Sequence, residues 1–269
     1  MQRYQLEDLL YLMCRLRDPD HGCPWDLEQT PRSVINYSIE EVYELADAIE
    51  RDVSADVCDE LGDVLFQVVF LAQFAQEQGD FGFADVVHGV TEKLLRRHPH
   101  VFPHGQLHAT EAATAQHELD ADGVARQWDE IKAAERAQTV AKPALADVPA
   151  SFPPLLRAGK LQKRAARLGF DWPTVEGAME KLEEELVELN DARLNADANP
   201  AELEEELGDL LFSCVNVARK LGIDAEQALR AANQKFVRRV QAVQAAAGGD
   251  TRSLQADELD SLWEATKEP

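Results

Sequence analysis

Residues 60 to 66 read Glu-Leu-Gly-Asp-Val-Leu-Phe, and residues 206 to 212 read Glu-Leu-Gly-Asp-Leu-Leu-Phe. Each copy opens an apolar run: Val64 to Ala72 is interrupted only by Gln67, and Leu210 to Ala218 only by Ser213 and Asn216. Upstream stand Glu40, Glu41 and Glu44 in one half, and Glu184, Glu185 and Glu188 in the other. The chain thus twice writes E-E-x-x-E and then E-x-x-D. Helix positions three or four apart share a face, so two antiparallel neighbours would gather these carboxylates at the edge of a hydrophobic core. Carboxylates brought together in that way repel one another unless a cation joins them. The pattern predicts a metal site in each half.

Working outward, the duplication divides the 269 residues into two domains. Residues 139–154 contain Pro143, Pro149, Pro153 and Pro154 and read as a linker, leaving domains at 1–138 and 155–269. Helical periodicity runs over Tyr4 to Arg17, Pro31 to Arg51 with Thr30 as its cap, Ser54 to Gln78, and Phe83 to Arg97. Residues 110–138 read as helix with a break near Gly123, and Asp18 to Asp26 as a loop. In the second half the expected helices start near Leu155, after Thr174, after Asn199-Pro200 and after Asp224, with a last one over Leu254 to Thr266. No stretch alternates with the period of a strand. The fold class is all-α, two tandem helical bundles.

The proposed ligands are hard oxygens, which suits magnesium, with manganese as a substitute. A di-iron bundle needs E-x-x-H, and no glutamate here has a histidine three residues on. Gly62 and Gly208 lie inside the acidic motifs, where glycine costs about 1 kcal/mol against alanine, so each implies the close approach of another helix or a ligand.

Basic residues follow each cluster: Lys93, Arg96 and Arg97 in the first half, and Lys235, Arg238 and Arg239, preceded by Asn233, in the second. Lysine and arginine on one helix face suit phosphate, although Arg96 and Arg97 at a helix end also serve the helix dipole. Each half closes with Trp-x-x-x-Lys, Trp128 with Lys132 and Trp263 with Lys267. Trp263 can stack on a base; spacing alone favours an anchor for the terminal helix. His98, His100, His104 and His108 read as loop residues.

A net charge of -23 argues against binding to nucleic acid or an anionic membrane. Cys14, Cys23, Cys58 and Cys214 form no metal-binding or disulfide pattern and read as reduced thiols, some in the core. With no apolar leader or spanning run, a cytoplasmic protein is expected.

The acidic motifs resemble those of the all-α nucleoside triphosphate pyrophosphohydrolases, and the match to the MazG family is closer. Cys23-Pro-Trp-Asp-Leu-Glu-Gln-Thr30, Lys93 to Phe102, Gly169-Phe-Asp-Trp172 and Asn233-Gln-Lys-Phe-Val-Arg-Arg239 are all similar to that family. The resemblance implies magnesium-dependent hydrolysis of NTPs and dNTPs to monophosphate and pyrophosphate, in a homodimer. Its metal motif falls on Glu184, Glu185, Glu188, Glu206 and Asp209, and in the first half on Glu40, Glu41, Glu44, Glu60 and Asp63. Its nucleotide contacts fall on Asn233, Lys235 and Arg239. The first half has Thr91 where the second has Asn233, so the second half is expected to do most of the work. A magnesium-dependent nucleotide sensor or partner-binding regulatory protein with little turnover is the alternative from another class.

Overall fold

The computed structural model describes residues 3–108, 120–137, 145–146, 148–194, 199–252 and 254–267. It forms two compact units, Met1–Gln138 and Thr139–Pro269. Among the described residues there is no strand, and no helix is long and apolar enough to cross a membrane. The all-α expectation therefore holds.

In the first unit, α1 (Leu6–Leu16) and the short α2 (Pro24–Glu28) precede two long helices, α3 (Pro31–Arg51) and α4 (Ser54–Gln78). Thr30 starts α3 by accepting a hydrogen bond from the Ser33 amide, and Pro31 occupies the first turn, where its missing N–H is harmless. Only Asp52 and Val53 separate α3 from α4. Asp52 takes a left-handed conformation, which aspartate tolerates, and the chain reverses there. Val53 occupies the cap position of α4, and Ser54 is its first helical residue. α5 (Phe83–Arg97), a 3-10 turn at Pro103–Gly105 and α6 (Ala121–Ala137) complete the unit.

The break expected near Gly123 corresponds to a helix start, since Asp120 is not helical and α6 begins at Ala121. Gly123 is buried near the start of α6, and its amide donates to Asp120, which caps the helix. The helix expected over 110–119 falls outside the described residues.

The core of this unit is Met13, Val34, Val69, Phe70 and Phe74, with Leu9, Leu10 and Phe66 packed on it. Phe70 and Phe74 stack at 4.9 Å, one turn apart on α4. Arg17 lies over Phe74, 4.3 Å from its centroid, and forks onto Glu77 at 2.6 and 2.7 Å. Gly22 is required by the loop after α1, because a Cβ there would stand 2.4 Å from the Leu16 carbonyl oxygen.

In the second unit, α7 (Pro154–Arg167) and α8 (Val175–Leu194) lead to α9 (Pro200–Lys220), α10 (Ala225–Ala246) and α11 (Ala256–Ala265). Asn199 caps α9 and Asp224 caps α10, each accepting from the backbone amide three residues on. The buried positions here include Val215 and Val243 and several small or polar residues, among them Ala158, Gln162, Ala178, Ser213 and Asn216. Gln162 ties α7 to α9 by donating to the Phe212 carbonyl at 2.8 Å. The Gly169-Phe-Asp-Trp loop is held at the end of α9, with Asp171 bound by Arg219 at 2.5 Å and Lys220 at 3.2 Å.

Contrary to expectation, no cysteine belongs to the core. Cys14, Cys58 and Cys214 are exposed and Cys23 is half-buried; Cys14 bonds across to Gln73 of α4 at 3.3 Å.

Candidate functional site

The hairpin of α3 and α4 sets the register of the first acidic group. Glu41 and Asp63 stand at matching distances from the Asp52-Val53 turn, and Glu60 lies one turn from Asp63 on α4. One carboxylate oxygen from each of Glu41, Glu60 and Asp63 lies within 4.8 Å of the others. In the second unit, α8 packs on α9 in the same way, and Glu185, Glu206 and Asp209 meet the same 4.8 Å criterion. Each unit thus converges one carboxylate of E-E-x-x-E with both carboxylates of E-x-x-D. Three oxygen donors at this spacing, each from a different side chain, can be bridged by one small divalent cation.

Glu40, Glu44, Glu184 and Glu188 are exposed and stand outside these inner groups. Their charges still act on them. The Glu60 carboxyl is pushed above its ordinary value by burial, then by Glu44 and Asp63. Glu206 is pushed up by burial, then by Glu188, Glu185 and Asp209. Glu41 is raised chiefly by burial, then by Asp63 and Glu44, against a hydrogen bond with Gln67 that lowers it. Each site therefore concentrates negative charge that a cation would relieve.

Three participants were not foreseen from the sequence. Gln67, the one polar residue in the apolar run of α4, is buried and contacts both Glu41 and Ser38, the latter at 3.4 Å. Its interruption of that run was the available signal. Lys181 places its ammonium 2.8 Å from Glu185, 2.9 Å from Glu184 and 3.9 Å from Glu188; its four-residue spacing from Glu185 could have revealed it. Arg51 lines the cleft of about 700 Å³ that also holds Glu40, Glu44 and Glu60. It is bound there by Asp47 at 2.8 Å and Asp56 at 2.5 Å.

The glycines behave differently from expectation. A Cβ added to Gly62 or Gly208 would meet nothing within 4 Å, so the described residues of this chain make no close approach there. Helix propensity disfavours glycine at both points; the space beside them is open.

The basic residues divide. Arg96 and Arg97 of α5 bind Glu135 of α6 at 2.8 and 2.6 Å. Those two bonds hold the Glu135 carboxyl down to about 2. Lys93 is exposed and forms no ion pair with a described residue. On α10, Asn233, Lys235 and Arg238 are exposed, while Arg239 lies 5.8 Å from the Trp263 ring centroid. Trp263 packs on Phe236 at 5.7 Å, the anchoring arrangement, and it borders a groove of about 380 Å³ lined also by Val240, Leu259 and Asp260. Lys267 pairs with Glu264 at 2.5 Å. In the first unit Lys132 instead lies 4.4 Å from the Trp128 centroid, and His98 meets that ring edge-on at 5.2 Å.

The family model of the MazG nucleotide pyrophosphohydrolase domain matches residues 29–102 and again 174–244. Both matches contain one complete acidic group. Over 98% of its length the chain is 46% identical to a nucleoside triphosphate pyrophosphohydrolase of Escherichia coli, covering 97% of that protein. It is 42% identical to the nucleoside triphosphate pyrophosphohydrolase/pyrophosphatase MazG of Thermotoga maritima, over 97% of this chain and 95% of the relative. A Mycolicibacterium smegmatis nucleoside triphosphate pyrophosphohydrolase is 29% identical over 95% of this chain and 64% of its own.

Proposed function

The chain belongs to the MazG nucleotide pyrophosphohydrolase family and is a hydrolase of that class, and we propose that it cleaves NTPs and dNTPs to the monophosphate and pyrophosphate with magnesium. The observation that carries the metal assignment is the convergence of Glu185, Glu206 and Asp209 within 4.8 Å. All three donors are hard oxygens, and Glu185 is buried with a lysine ammonium beside it, so the position already accommodates positive charge. These residues, with Glu184 and Glu188 around them, fit magnesium, and manganese could replace it. Glu41, Glu60 and Asp63, with Glu40 and Glu44, form the corresponding set in the first unit.

A divalent cation held by these carboxylates would neutralise the triphosphate and lower the pKa of an attacking water. The bond between the α- and β-phosphoryl groups breaks, water provides the new oxygen, and a carboxylate free of ligation accepts the proton. Lys235, Arg238 and Arg239 stabilise the charge that collects on the departing pyrophosphate, and Asn233 can both donate to and accept from the nucleotide. Trp263, beside an apolar groove, offers a surface for the base. Of the first unit's three basic residues, Lys93 alone pairs with no described carboxylate, since Arg96 and Arg97 hold Glu135. The second unit therefore carries most of the turnover.

A homodimer is supported by apolar surface that one chain leaves open. Ile39, Val42, Leu61 and Leu65 on α3 and α4 are each 40–53% exposed, and Leu186, Val187, Leu207 and Leu211 on α8 and α9 are 47–60% exposed. Contiguous apolar faces of this kind mark association surfaces. Polyphosphate reaches this acidic protein through metal and a few cations, and its place is the cytoplasm, where it would clear unwanted nucleotides from the pool.

Chromatography of an early time point tests the reaction. GTP with magnesium should yield GMP and pyrophosphate without GDP. GDP and orthophosphate as first products would overturn the assignment, whereas magnesium-dependent binding without turnover would indicate a nucleotide sensor.

A further inference from the structure

We propose that Lys181 is a built-in counter-ion of the second carboxylate site, so that this site takes its divalent cation together with nucleotide while the first site takes the free ion. The inference rests on the metal assignment above and concerns the difference between the two units.

Glu185 is only 5% exposed. A carboxylate so buried is strongly unfavourable unless a cation or a set of donors compensates it. Lys181 provides that compensation from one turn earlier on α8, and its ammonium reaches Glu184 and Glu188 as well. It thus ties up Glu185, one of the three convergent ligands, and shields two of the outer carboxylates.

The first unit meets the same electrostatic demand in another way. Four residues before Glu41 stands Tyr37, which is 42% exposed and meets Trp25 edge-on at 6.1 Å. It brings no charge to the site. Glu41 instead bonds with Gln67, a neutral amide reaching across from α4. At the equivalent place on α9, seven residues after the first glutamate of its E-x-x-D motif, stands Ser213, a much shorter side chain. One unit carries tyrosine and glutamine, the other lysine and serine. The exchange is reciprocal: among the described residues, the unit with the long amide has no cation paired with its three convergent carboxylates, Arg51 in its cleft being held by Asp47 and Asp56, and the unit with the paired cation lacks the amide.

The consequence concerns the order of loading. Before Glu185 can act as a ligand, Lys181 must release it. A free divalent cation has to compete with an ammonium already in place, and the released ammonium gains only water. When the cation arrives with a triphosphate, Lys181 can swing on its four-carbon stem to phosphate oxygens, which replace the partner it lost. No such displacement is needed at Glu41, Glu60 and Asp63, where Arg51 acts on Glu60 only through space, bound as it is by Asp47 and Asp56, and the mutual repulsion of the carboxylates favours the ion.

Manganese binding to the full-length protein tests this, read as free Mn²⁺ by electron paramagnetic resonance without nucleotide. Two classes of site are expected, the tighter abolished by Glu41→Gln and the weaker by Asp209→Asn. Lys181→Met should tighten the weaker class by roughly fivefold, the scale of one partly exposed ion pair, while Lys181→Arg should leave it weak. Tyr37→Lys, at an exposed position, should weaken the tighter class. Adding α,β-methylene dATP should tighten the weaker class more in the wild type than in Lys181→Met. Unchanged or weaker Mn²⁺ binding in Lys181→Met overturns the inference. If that variant does not fold, Tyr37→Lys decides alone, and its failure to weaken the tighter class overturns the inference equally. Binding that ignores both Glu41→Gln and Asp209→Asn removes the metal assignment itself, and this inference with it.

Discussion

Arg97 of α5 grips Glu135 of α6 through its Nε and a terminal nitrogen, at 3.2 and 2.6 Å. Arg96 shares the same carboxylate at 2.8 Å. Two of the three basic residues that could have faced phosphate in the first unit are therefore occupied in holding one helix against another. Arg238 on α10 is exposed, and Lys235 sits in the middle of a 22-residue helix. The duplicated acidic motifs are matched by basic residues with different commitments.

Unequal turnover follows. Glu185→Ala and Asp209→Ala should each lower kcat by about a hundredfold or more, on the scale of losing a preorganised group that stabilises transition-state charge. Glu41→Ala and Asp63→Ala should cost less. Purified variants, checked by circular dichroism and assayed on one dNTP, decide this. A greater loss from the first-unit pair would reverse the assignment of the working site.

Magnesium should raise the melting temperature by an amount that grows with its concentration, because binding to the folded state alone stabilises it. Asp209→Ala should shrink that increment while the metal-free protein stays folded. The measurement is a thermal melt at constant ionic strength. Indifference of the wild type to magnesium would count against carboxylate ligation.

The link between α5 and α6 should depend on pH in a definite direction. The folded Glu135 carboxyl is held at about 2 against an ordinary 4.5, primarily by its bond with Arg97. A depressed carboxyl stabilises the fold fully above its unfolded value, and that contribution is lost as pH falls from 4.5 toward 2. Glu135→Gln should thus melt below the wild type at pH 7, with the gap narrowing below pH 4.5. A gap that is constant from neutral to acid pH would show that the charge contributes nothing.

Arg17→Met should destabilise the first unit by about 2 kcal/mol, since it leaves Glu77 with only Gln73 as a donor and removes a guanidinium from an aromatic face. The Arg17 side chain is 9% exposed, against 34% for Glu77, so solvent can replace little of what is lost around the arginine. Arg17→Lys should fall between the two, keeping the charge without the planar fork. Urea unfolding followed by circular dichroism gives the values, and an Arg17→Met protein as stable as wild type would refute the argument.

Much of this protein was legible from its sequence because helix geometry is local. The periodicity of Pro31 to Arg51 and of Phe83 to Arg97, with Thr30 and Asn199 as caps, located helices whose hydrogen bonds span only four residues. The same three- and four-residue spacing showed that Glu60 and Asp63, or Glu206 and Asp209, would share a face. Lys181 obeyed that rule too, its spacing from Glu184 and Glu185 marking both as partners without showing which of them is buried. The tertiary structure decided that Glu185 is the buried member and that Gln67 crosses from α4 to Glu41. It also decided that Arg17 reaches Glu77, that Arg96 and Arg97 close on Glu135, and that the space beside Gly62 and Gly208 is open. A helix can be read from neighbours along the chain; which residues face one another across helices depends on packing, and packing brings together side chains that local spacing leaves independent.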